Sequence, residues 1–304
     1  MRRKAKILTR KCDGADVVPS SGRGLYRIPI LILYKSNSFF REIANWSTSH
    51  TLLCLCLLMG LSAGMKIMLF LLDPSLGRDA SLYLDIAQNW HRVRDYTLAL
   101  RETTMTWLPP FFFLLLKCGL DLGLNAESSG IIINILSGVL CVLCGYGITL
   151  EAVNCKKTAL ICAGFLAVSP GLNMLAVEIQ RDTPYLCLAG FAIWGALAGI
   201  RRKKVLPFCI SGVFTAMAIL TRNEALELPL FLFVILLCCA LFRKHTWKQF
   251  LLYVCGFSVS CLIVLAAFFC IIGLHRQIGS WKIYFTHKYE RVEKQFTVQK
   301  EPGE

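Results

Sequence analysis

Three short polar segments lie at the edges of apolar runs, and each of them contains an arginine and a carboxylate. They are Arg78–Asp79, Glu178–Asp182 (EIQRD) and Thr221–Glu224 (TRNE). A carboxylate at a membrane edge can act as a general base, because it can take a proton from a hydroxyl group. Arginine is a permanent cation whose forked donors suit phosphate. The three segments therefore indicate chemistry in which a hydroxyl is activated beside a phosphate.

Asp79 belongs to the polar stretch Gly77–Trp90 (GRDASLYLDIAQNW), which follows a long apolar run and has the composition of a short helix lying on the membrane. On a helix each residue turns about 100°, so Tyr83 lies on the face of Asp79 whereas Asp85 lies about 240° away. Asp79 and Asp85 are therefore not predicted to be a paired acid and base. Two roles stay open for Asp79: a general base partly shielded from water, and an N-cap of the helix.

The other two segments also have local structural explanations. Asp182–Pro184 (DTP) is typical of a helix start with proline in the first turn, where the aspartate would be a cap. Thr221 and Glu224 match the capping box S/T-x-x-E. These explanations leave Arg181 and Arg222 without a role. Helices that begin near residues 183 and 222 would also point the positive ends of their dipoles at one region, which favours an anion.

The composition is that of a membrane protein. The chain has 304 residues, of which 56% are hydrophobic and 17% charged, whereas soluble domains contain about 45–50% apolar and about 25% charged residues. The apolar residues form blocks of about 18–25 residues, the length of a membrane-spanning helix. The net charge of +14 resides in the N-terminal tail and in short loops, where it holds loops in the cytoplasm. We predict an all-α polytopic membrane protein with no nucleic-acid partner.

The fifteen cysteines lie mostly inside apolar runs. Cys141 and Cys144 form a CxxC pair, but within an apolar helix and without a second pair. Metal and redox sites need accessible thiolates, so we interpret the cysteines as small packing residues and predict no disulfide framework.

Charge distribution decides the predicted topology. The segment 107–122 begins with only ten apolar residues (WLPPFFFLLL), which favours a re-entrant or interfacial segment over a span. If it does not cross, the loops with Lys156-Lys157, Arg201–Lys204 and Arg243–Lys248 all lie inside, as the positive-inside rule requires. All three polar segments then share the outer face. The seven predicted spans are 51–72, 130–150, 158–177, 183–200, 205–220, 225–242 and 250–274.

The predicted organisation has three parts. Residues 1–50 form a basic cytoplasmic tail, 51–274 a transmembrane domain and 275–304 a short polar tail on the outer side. Within the domain, the outer loop 73–129 is expected to carry juxtamembrane helices. In the first tail, Leu25–Tyr34 is too short to cross and is predicted to be interfacial. Lys66, toward the outer end of the first span, either snorkels to the interface or points into the site.

Four segments are similar, in order and spacing, to a known family. GRDASLYLDIA resembles the first outer loop of the GT-C superfamily of membrane glycosyltransferases, in particular its family-39-like branch, which includes protein O-mannosyltransferases and lipid A aminoarabinose transferases. TWLPPFFFLLLK resembles the Pro-Pro juxtamembrane segment of that branch. ALICAGFLAVSPGLNMLAVEIQRDTPYLCLAGFAIW resembles its Ser-Pro span and the following Arg-Asp start, and SGVFTAMAILTRNEALELPLFLF its span ending in Thr-Arg-x-Glu. The resemblance covers roughly residues 50–275.

The resemblance implies a GT-C-like fold and a function. It implies transfer of a hexosyl or pentosyl unit from a polyprenyl-phosphate donor to an acceptor hydroxyl of a lipid, glycan or protein, on the outer face of the inner membrane. Asp79 would be the catalytic base. The expected substrate-binding residues, in contact with the donor phosphate or near it, are Arg78, Tyr83, Glu178, Arg181, Asp182, Arg222 and Glu224.

The sequence departs from the family pattern at two points. Ala80 stands where a glutamate often follows the first-loop aspartate, so a paired-carboxylate or metal-bridging site is not indicated; no cofactor is predicted, and a divalent metal stays open. The chain also ends after about seven spans, where relatives continue, so a short variant, a truncated frame and a non-catalytic remnant are open. The alternative function is a transporter or lipid-sugar flippase. Transporters place polar groups near mid-membrane and often contain repeats, whereas the charges here lie at one edge.

Overall fold

The computed structural model describes residues 46, 48–74, 77, 79–101, 108–242 and 246–272. The regular elements of these residues are all helices, which confirms the predicted all-α fold. The helices belong to one compact unit, Ser47–Glu304, while the other unit, Met1–Trp46, is described only at Trp46. Arg78, Leu25–Tyr34 and the predicted C-terminal tail lie outside the described residues.

Eleven α-helices follow one another in the described part of the chain. In order they are α1 (Thr51–Leu72), α2 (Ala80–Val93), α3 (Tyr96–Arg101), α4 (Phe111–Asp121), α5 (Ala126–Val153), α6 (Lys156–Val168), α7 (Pro170–Val177), α8 (Asp182–Arg202), α9 (Leu206–Ile219), α10 (Glu227–Leu241) and α11 (Trp247–Ile272). A short 3-10 helix, Asn223–Leu226, leads into α10.

Five helices of the described residues are long and apolar enough to cross a membrane: α1, α5, α8, the 3-10 turn with α10, and α11. The pair α6 and α7 passes the same test only jointly and is bent by 51°, which gives a sixth span if the pair is one. Helix α9 has 14 residues, and at 1.5 Å per residue it falls short of a bilayer core of about 30 Å. The predicted count of seven spans is therefore not confirmed. Helix α4 has only 11 residues, too few to cross a bilayer core; whether 107–122 is re-entrant or interfacial stays a prediction.

The bend between α6 and α7 has a chemical cause. Pro170 carries no backbone N–H, so it cannot continue the hydrogen-bond ladder of α6. The N–H of Ser169 turns back to the carbonyl of Leu166 at 3.4 Å. The side-chain amide of Asn173 donates to the carbonyl of Ala167 at 3.1 Å, so this carbonyl is satisfied at the break. Helix α7 therefore leaves the axis of α6 and carries the chain toward Glu178–Asp182.

Close packing of α8 against α9 brings two of the polar segments together. A Cβ at Gly199 would lie 2.5 Å from the ring of Phe208, and one at Gly195 would lie 3.2 Å from the Cβ of Ser211. The hydroxyl of Ser211 donates to the carbonyl of Ala192 at 2.6 Å. Small residues permit such close approach between membrane helices. Because the connection between α8 and α9 is short, the end of α9 returns to the start of α8.

The loop helices α2, α3 and α4 share an apolar core of their own. Trp90, Phe112 and Phe113 are buried there, and Ile179 from the second polar segment is fully buried in the same core. Ile179 also fits against Gly130 of α5, where a Cβ would lie 2.8 Å from its methyl carbon. Burial of one such side chain contributes about 1.5–3 kcal/mol, so the second segment is anchored between α5 and the loop helices.

The cysteines of the described residues are free thiols. Cys141 and Cys144 lie buried in α5, and the thiol of Cys144 faces the backbone carbonyl of Cys187 in α8 at 3.7 Å. The CxxC pair therefore packs α5 against α8.

Candidate active site

Asp79 lies at the N-terminal end of α2 but does not cap it. Its backbone occupies the N-cap position, and its side chain makes no capping hydrogen bond. The hydroxyl of Tyr83 instead donates to the Oδ2 of Asp79 at 3.4 Å. Asp79 is not covered by other described residues and sits in the turn that closes from Gly77 to Ala80; shielding of its carboxylate by the membrane surface stays a prediction. The carboxylate is therefore accessible and oriented by a phenol. Asp85 is also exposed and is not its partner.

Tyr83 connects Asp79 to the second polar segment. Its ring is buried, edge-on to Phe112 at 5.8 Å and to Phe113 at 5.7 Å between centroids. The Nε of Arg181 donates to the phenol oxygen at 3.2 Å, and its guanidinium carbon lies 5.3 Å from the ring centroid. Burial raises the pKa of Tyr83 above its usual value of 10.0. The phenol is therefore protonated at neutral pH and can donate to Asp79.

Gly77 places the first segment directly on the second. Its φ is +88°, a conformation that side chains other than glycine rarely adopt. A Cβ there would lie 3.2 Å from the Cβ of Glu178, 3.5 Å from its Oε2 and 3.6 Å from the Nε2 of Gln180. Gln180 donates to the carboxylate of Glu178. The turn that leads to Asp79 therefore rests on this Glu178–Gln180 pair.

Arg222 joins the second segment to the third. Its Nη1 donates to Asp182, and its Nε donates to Glu224 at 3.1 Å. The guanidinium carbon also lies 5.9 Å from the ring centroid of Tyr185. About a third of each side chain in the Arg222–Asp182 pair is exposed. Because two carboxylates face it, the charge of Arg222 is already compensated within the protein.

The helix-cap explanations for these segments are not what the side chains do. The hydroxyl of Thr221 donates back to the carbonyl of Met217 at 2.7 Å, and Glu224 accepts from Arg222, so no capping box forms. Helix α8 begins at Asp182 as the sequence suggested, but that carboxylate binds Arg222 and not the helix start. Thr221 and Glu224 thus take other local partners, whereas Asp182 is bound by Arg222, 40 residues away in sequence.

The three predicted segments form one line of residues, made of two sets of side-chain contacts that the backbone joins between Arg181 and Asp182. It runs from Asp79 through Tyr83 to Arg181, and from the neighbouring Asp182 through Arg222 to Glu224. Arg181 differs from Arg222, because it makes no ion pair with any carboxylate of the described residues. It is therefore the cation of this line whose charge is available to a ligand.

Two residues of this site were not singled out from the sequence. Tyr185 lies three residues after Asp182, a spacing that places both on one face of α8, and its ring faces Arg222. Gln180 lies inside the second segment and holds Glu178. Helical spacing could have revealed Tyr185; nothing in the sequence pattern points to Gln180.

Residues 108–271 match the family described as dolichyl-phosphate-mannose-protein mannosyltransferase. The matched region is more than half of the chain. The chain belongs to this family. No curated protein matches it. As a member of the mannosyltransferase family with several apolar helices, it is a multi-pass membrane protein of the GT-C type, related to glycosyltransferases.

The family match has a boundary that bears on the site. It includes the second and third polar segments but begins after Asp79 and Tyr83. The mannosyltransferase match therefore covers the arginine-bearing part of the line, and the roles of Asp79 and Tyr83 rest on their contacts with that part. Among the described residues, no group of three or more His, Cys, Asp or Glu side chains is arranged to hold a metal ion.

Proposed function

We propose that the chain transfers a sugar from a polyprenyl-phosphate donor to an acceptor hydroxyl, with Asp79 as the general base. The acceptor is a lipid, a glycan or a protein, and the site faces the outer side of a cell membrane. The single observation that carries the proposal is the Asp79–Tyr83–Arg181 line. It sets an accessible carboxylate beside an arginine that forms no ion pair with a carboxylate in the described part of the chain.

The base chemistry follows from the accessibility of Asp79. Its carboxylate removes the proton of the acceptor hydroxyl while the hydroxyl oxygen attacks the anomeric carbon of the sugar. The bond between that carbon and the phosphate oxygen breaks, so the sugar is inverted at the anomeric carbon and the phosphate leaves with an added negative charge. The phenol of Tyr83 holds the carboxylate by its hydrogen bond to Oδ2.

The leaving phosphate requires positive charge beside it, on the face of the sugar opposite the attacking hydroxyl. Arg181 supplies it, together with the N-terminal end of the 21-residue helix α8, whose first-turn amides and dipole favour an anion. Such preplaced donors stabilise charge that develops in the transition state. Arg78, also predicted to bind phosphate, precedes Asp79 in sequence. Arg222 reaches a phosphate only by exchanging its bond to Asp182.

A transfer assay tests this function. Membranes that contain the wild-type chain, Asp79→Asn or Asp79→Ala are supplied with a labelled polyprenyl-phosphate sugar, and the label in acceptor material is measured. We expect transfer by the wild type and its loss in both variants, with the variant proteins present at normal levels. Transfer at the wild-type rate by both variants would exclude Asp79 as the base.

A second candidate function is movement of a lipid-linked sugar across the membrane. Transporters use broken helices and charges inside the bilayer, and the bent pair α6–α7 together with the buried Lys66 of α1 has this character. Crossing of a labelled sugar-lipid in vesicles that hold the purified chain, unaffected by Asp79→Asn, would favour transport over transfer.

A further inference from the structure

Lys66 is a fully buried cation in the apolar helix α1. Its Nζ donates to the hydroxyl of Ser62 at 2.6 Å, to the Oδ1 of Asn173 at 2.7 Å and to the carbonyl of Ser62 at 3.5 Å. An ammonium has three donors, and all three have acceptors here. The side chain therefore neither reaches the membrane edge nor offers its charge to the line of site residues.

Asn173, the partner of Lys66 on α7, connects three helices. Its Oδ1 accepts from Lys66 of α1, and its Nδ2 donates to the carbonyl of Ala167, near the end of α6 where proline breaks the ladder. The same amide nitrogen faces the sulfur of Met65 at 3.9 Å. A burial this complete leaves each polar atom dependent on its protein partner, since an unmade hydrogen bond is not replaced by water. Loss of Lys66 therefore removes the strongest polar bond between α1 and α7 and leaves the Oδ1 of Asn173 without this donor.

Helix α7 is tightly placed on its other sides. A Cβ at Gly138 of α5 would lie 2.5 Å from the Cε of Lys66 and 2.7 Å from the Cβ of Ala176. The hydroxyl of Thr183 donates to the carbonyl of Leu175 at 2.9 Å, so the start of α8 is tied to α7. The chain from α7 to α8 contains Arg181. Residues 178–181 are not helical, so a shift of α7 reaches Arg181 mainly through the bond that ties Thr183 of α8 to Leu175.

We propose that Lys66 is a positioning residue for Arg181. Its ammonium, held between Ser62 and Asn173, fixes the broken helix pair α6–α7 against α1 and so sets the distance between Arg181 and the Tyr83–Asp79 pair. The proposal rests on the proposed transferase function, and it assigns Lys66 no contact with the substrate.

The first test compares Lys66→Met with Ser62→Ala. Methionine keeps most of the volume but leaves Asn173 without its donor, and we expect kcat to fall by about ten- to a hundredfold, as small displacements of catalytic groups do. KM should stay within about threefold of wild type, because charge on the phosphate develops mainly in the transition state. Ser62→Ala removes an acceptor but keeps the Lys66–Asn173 bond, so its kcat should be near normal. An equal loss of kcat in Ser62→Ala would overturn the proposal.

The second test uses rescue. Asn173→Leu alone should lower kcat as Lys66→Met does, whereas the double variant replaces a buried polar pair by an apolar contact and should recover part of the rate. A double variant no better than the worse single variant contradicts a positioning role and indicates that the charge of Lys66 itself is needed. Melting temperatures of the purified variants, measured alongside, show whether any variant fails to fold.

The third test asks whether Lys66 acts through Arg181. In an Arg181→Gln background, Lys66→Met should lower kcat by less than about twofold, since the group it positions is already absent. A full additional loss there would overturn the proposal. If Asp79→Asn is inactive while Lys66→Met has a normal kcat, only this proposal fails. If Asp79→Asn transfers sugar normally, Asp79 is not the base but the role of Lys66 is untouched. If the wild-type chain transfers no sugar, the transferase function fails and the role of Lys66 falls with it.

Discussion

The Nε of Arg181 lies 3.2 Å from the phenol oxygen of Tyr83, a residue 98 positions earlier in the chain. The same phenol oxygen donates to Asp79, so one hydroxyl group links the proposed base to the proposed phosphate-binding cation. Removing this hydroxyl alone, without disturbing the buried ring, is therefore an informative change.

Tyr83→Phe should lower kcat by about ten- to a hundredfold, because a hydrogen bond to a charged group contributes about 1.5–3 kcal/mol. The ring contacts with Phe112 and Phe113 remain, so the melting temperature should change little. Tyr96→Phe is the matched control, since that buried hydroxyl donates to the carbonyl of Leu108 and not to the site. Equal kcat values for the two variants would contradict the linking role of Tyr83.

The two arginines of the site should not be equivalent. Arg181→Gln should lower kcat/KM by about 10²–10³, the usual cost of removing one transition-state donor. Arg222→Gln should cost at least about tenfold less, because Arg222 is neutralised by Asp182 and Glu224, and such partly exposed pairs contribute about 0–1 kcal/mol to stability. Steady-state kinetics with both variants decide the point. Equal losses would place Arg222 in the phosphate site as well.

Gly77→Ala tests the contact between the first and second segments. Gly123→Ala is its control, since both glycines have positive φ, at 88° and 85°, but a Cβ at Gly123 meets nothing within 4 Å. Both variants should lose about 1 kcal/mol of stability through backbone strain. Gly77→Ala alone should lower the transfer rate, because its Cβ would press on Glu178. A normal transfer rate in Gly77→Ala would show that the close contact between Gly77 and Glu178 is not needed for activity.

The carboxylate of Asp121 should make the loop helices sensitive to acid. Lys117, by a hydrogen bond at 2.5 Å, and then His91 at 2.8 Å hold the pKa of Asp121 below its usual 3.8. The stabilisation is therefore present above the unfolded pKa and lost as the pH falls through the lower folded pKa. Asp121→Asn should melt at a lower temperature than wild type at pH 7, and the difference should shrink below about pH 4. A difference independent of pH would exclude the ionic contribution.

Cysteine labelling tests the shared face of the three segments. In a chain whose exposed native cysteines are replaced by serine, single cysteines at Ser81 and Glu224 should react with a membrane-impermeant reagent from outside the cell. A cysteine at Lys203, in the basic loop after α8, should react only after the membrane is opened. These three positions are exposed in the structure. If positions 81 and 224 react from opposite sides of the membrane, the first and third segments do not share a face and the proposed site is excluded.

The sequence predicts features that depend on a single helix, such as where that helix begins and ends. The first span was predicted as 51–72, and α1 is Thr51–Leu72; the helix start at Asp182 was also anticipated. The contact of Asp79 with Tyr83, four residues later on the same helix face, also agrees with the helical spacing. The partner of Asp182 could not be predicted, because Arg222 lies 40 residues away and is brought close only by the packing of the helices.

The number of membrane spans was also not predictable from the sequence alone. Hydropathy averages over a window, so residues 158–177 read as one span although Pro170 bends the helix pair by 51°. For Lys66 the sequence left two positions open, at the membrane interface or pointing into the site. Neither is found, because Asn173 of α7 and the space at Gly138 of α5, both distant in sequence, enclose the side chain.

The most direct test of the account compares Asp79→Asn with Asp85→Asn in one transfer assay. Both substitutions replace an exposed carboxylate in the sequence stretch Gly77–Trp90, but only Asp79 contacts Tyr83. Initial rates of sugar transfer from a labelled polyprenyl-phosphate donor should fall by about 10²–10⁴ in Asp79→Asn, as expected for a lost general base, and stay near wild type in Asp85→Asn. A rate for Asp79→Asn within about twofold of that for Asp85→Asn would contradict the account, because general-base catalysis is worth far more than that factor.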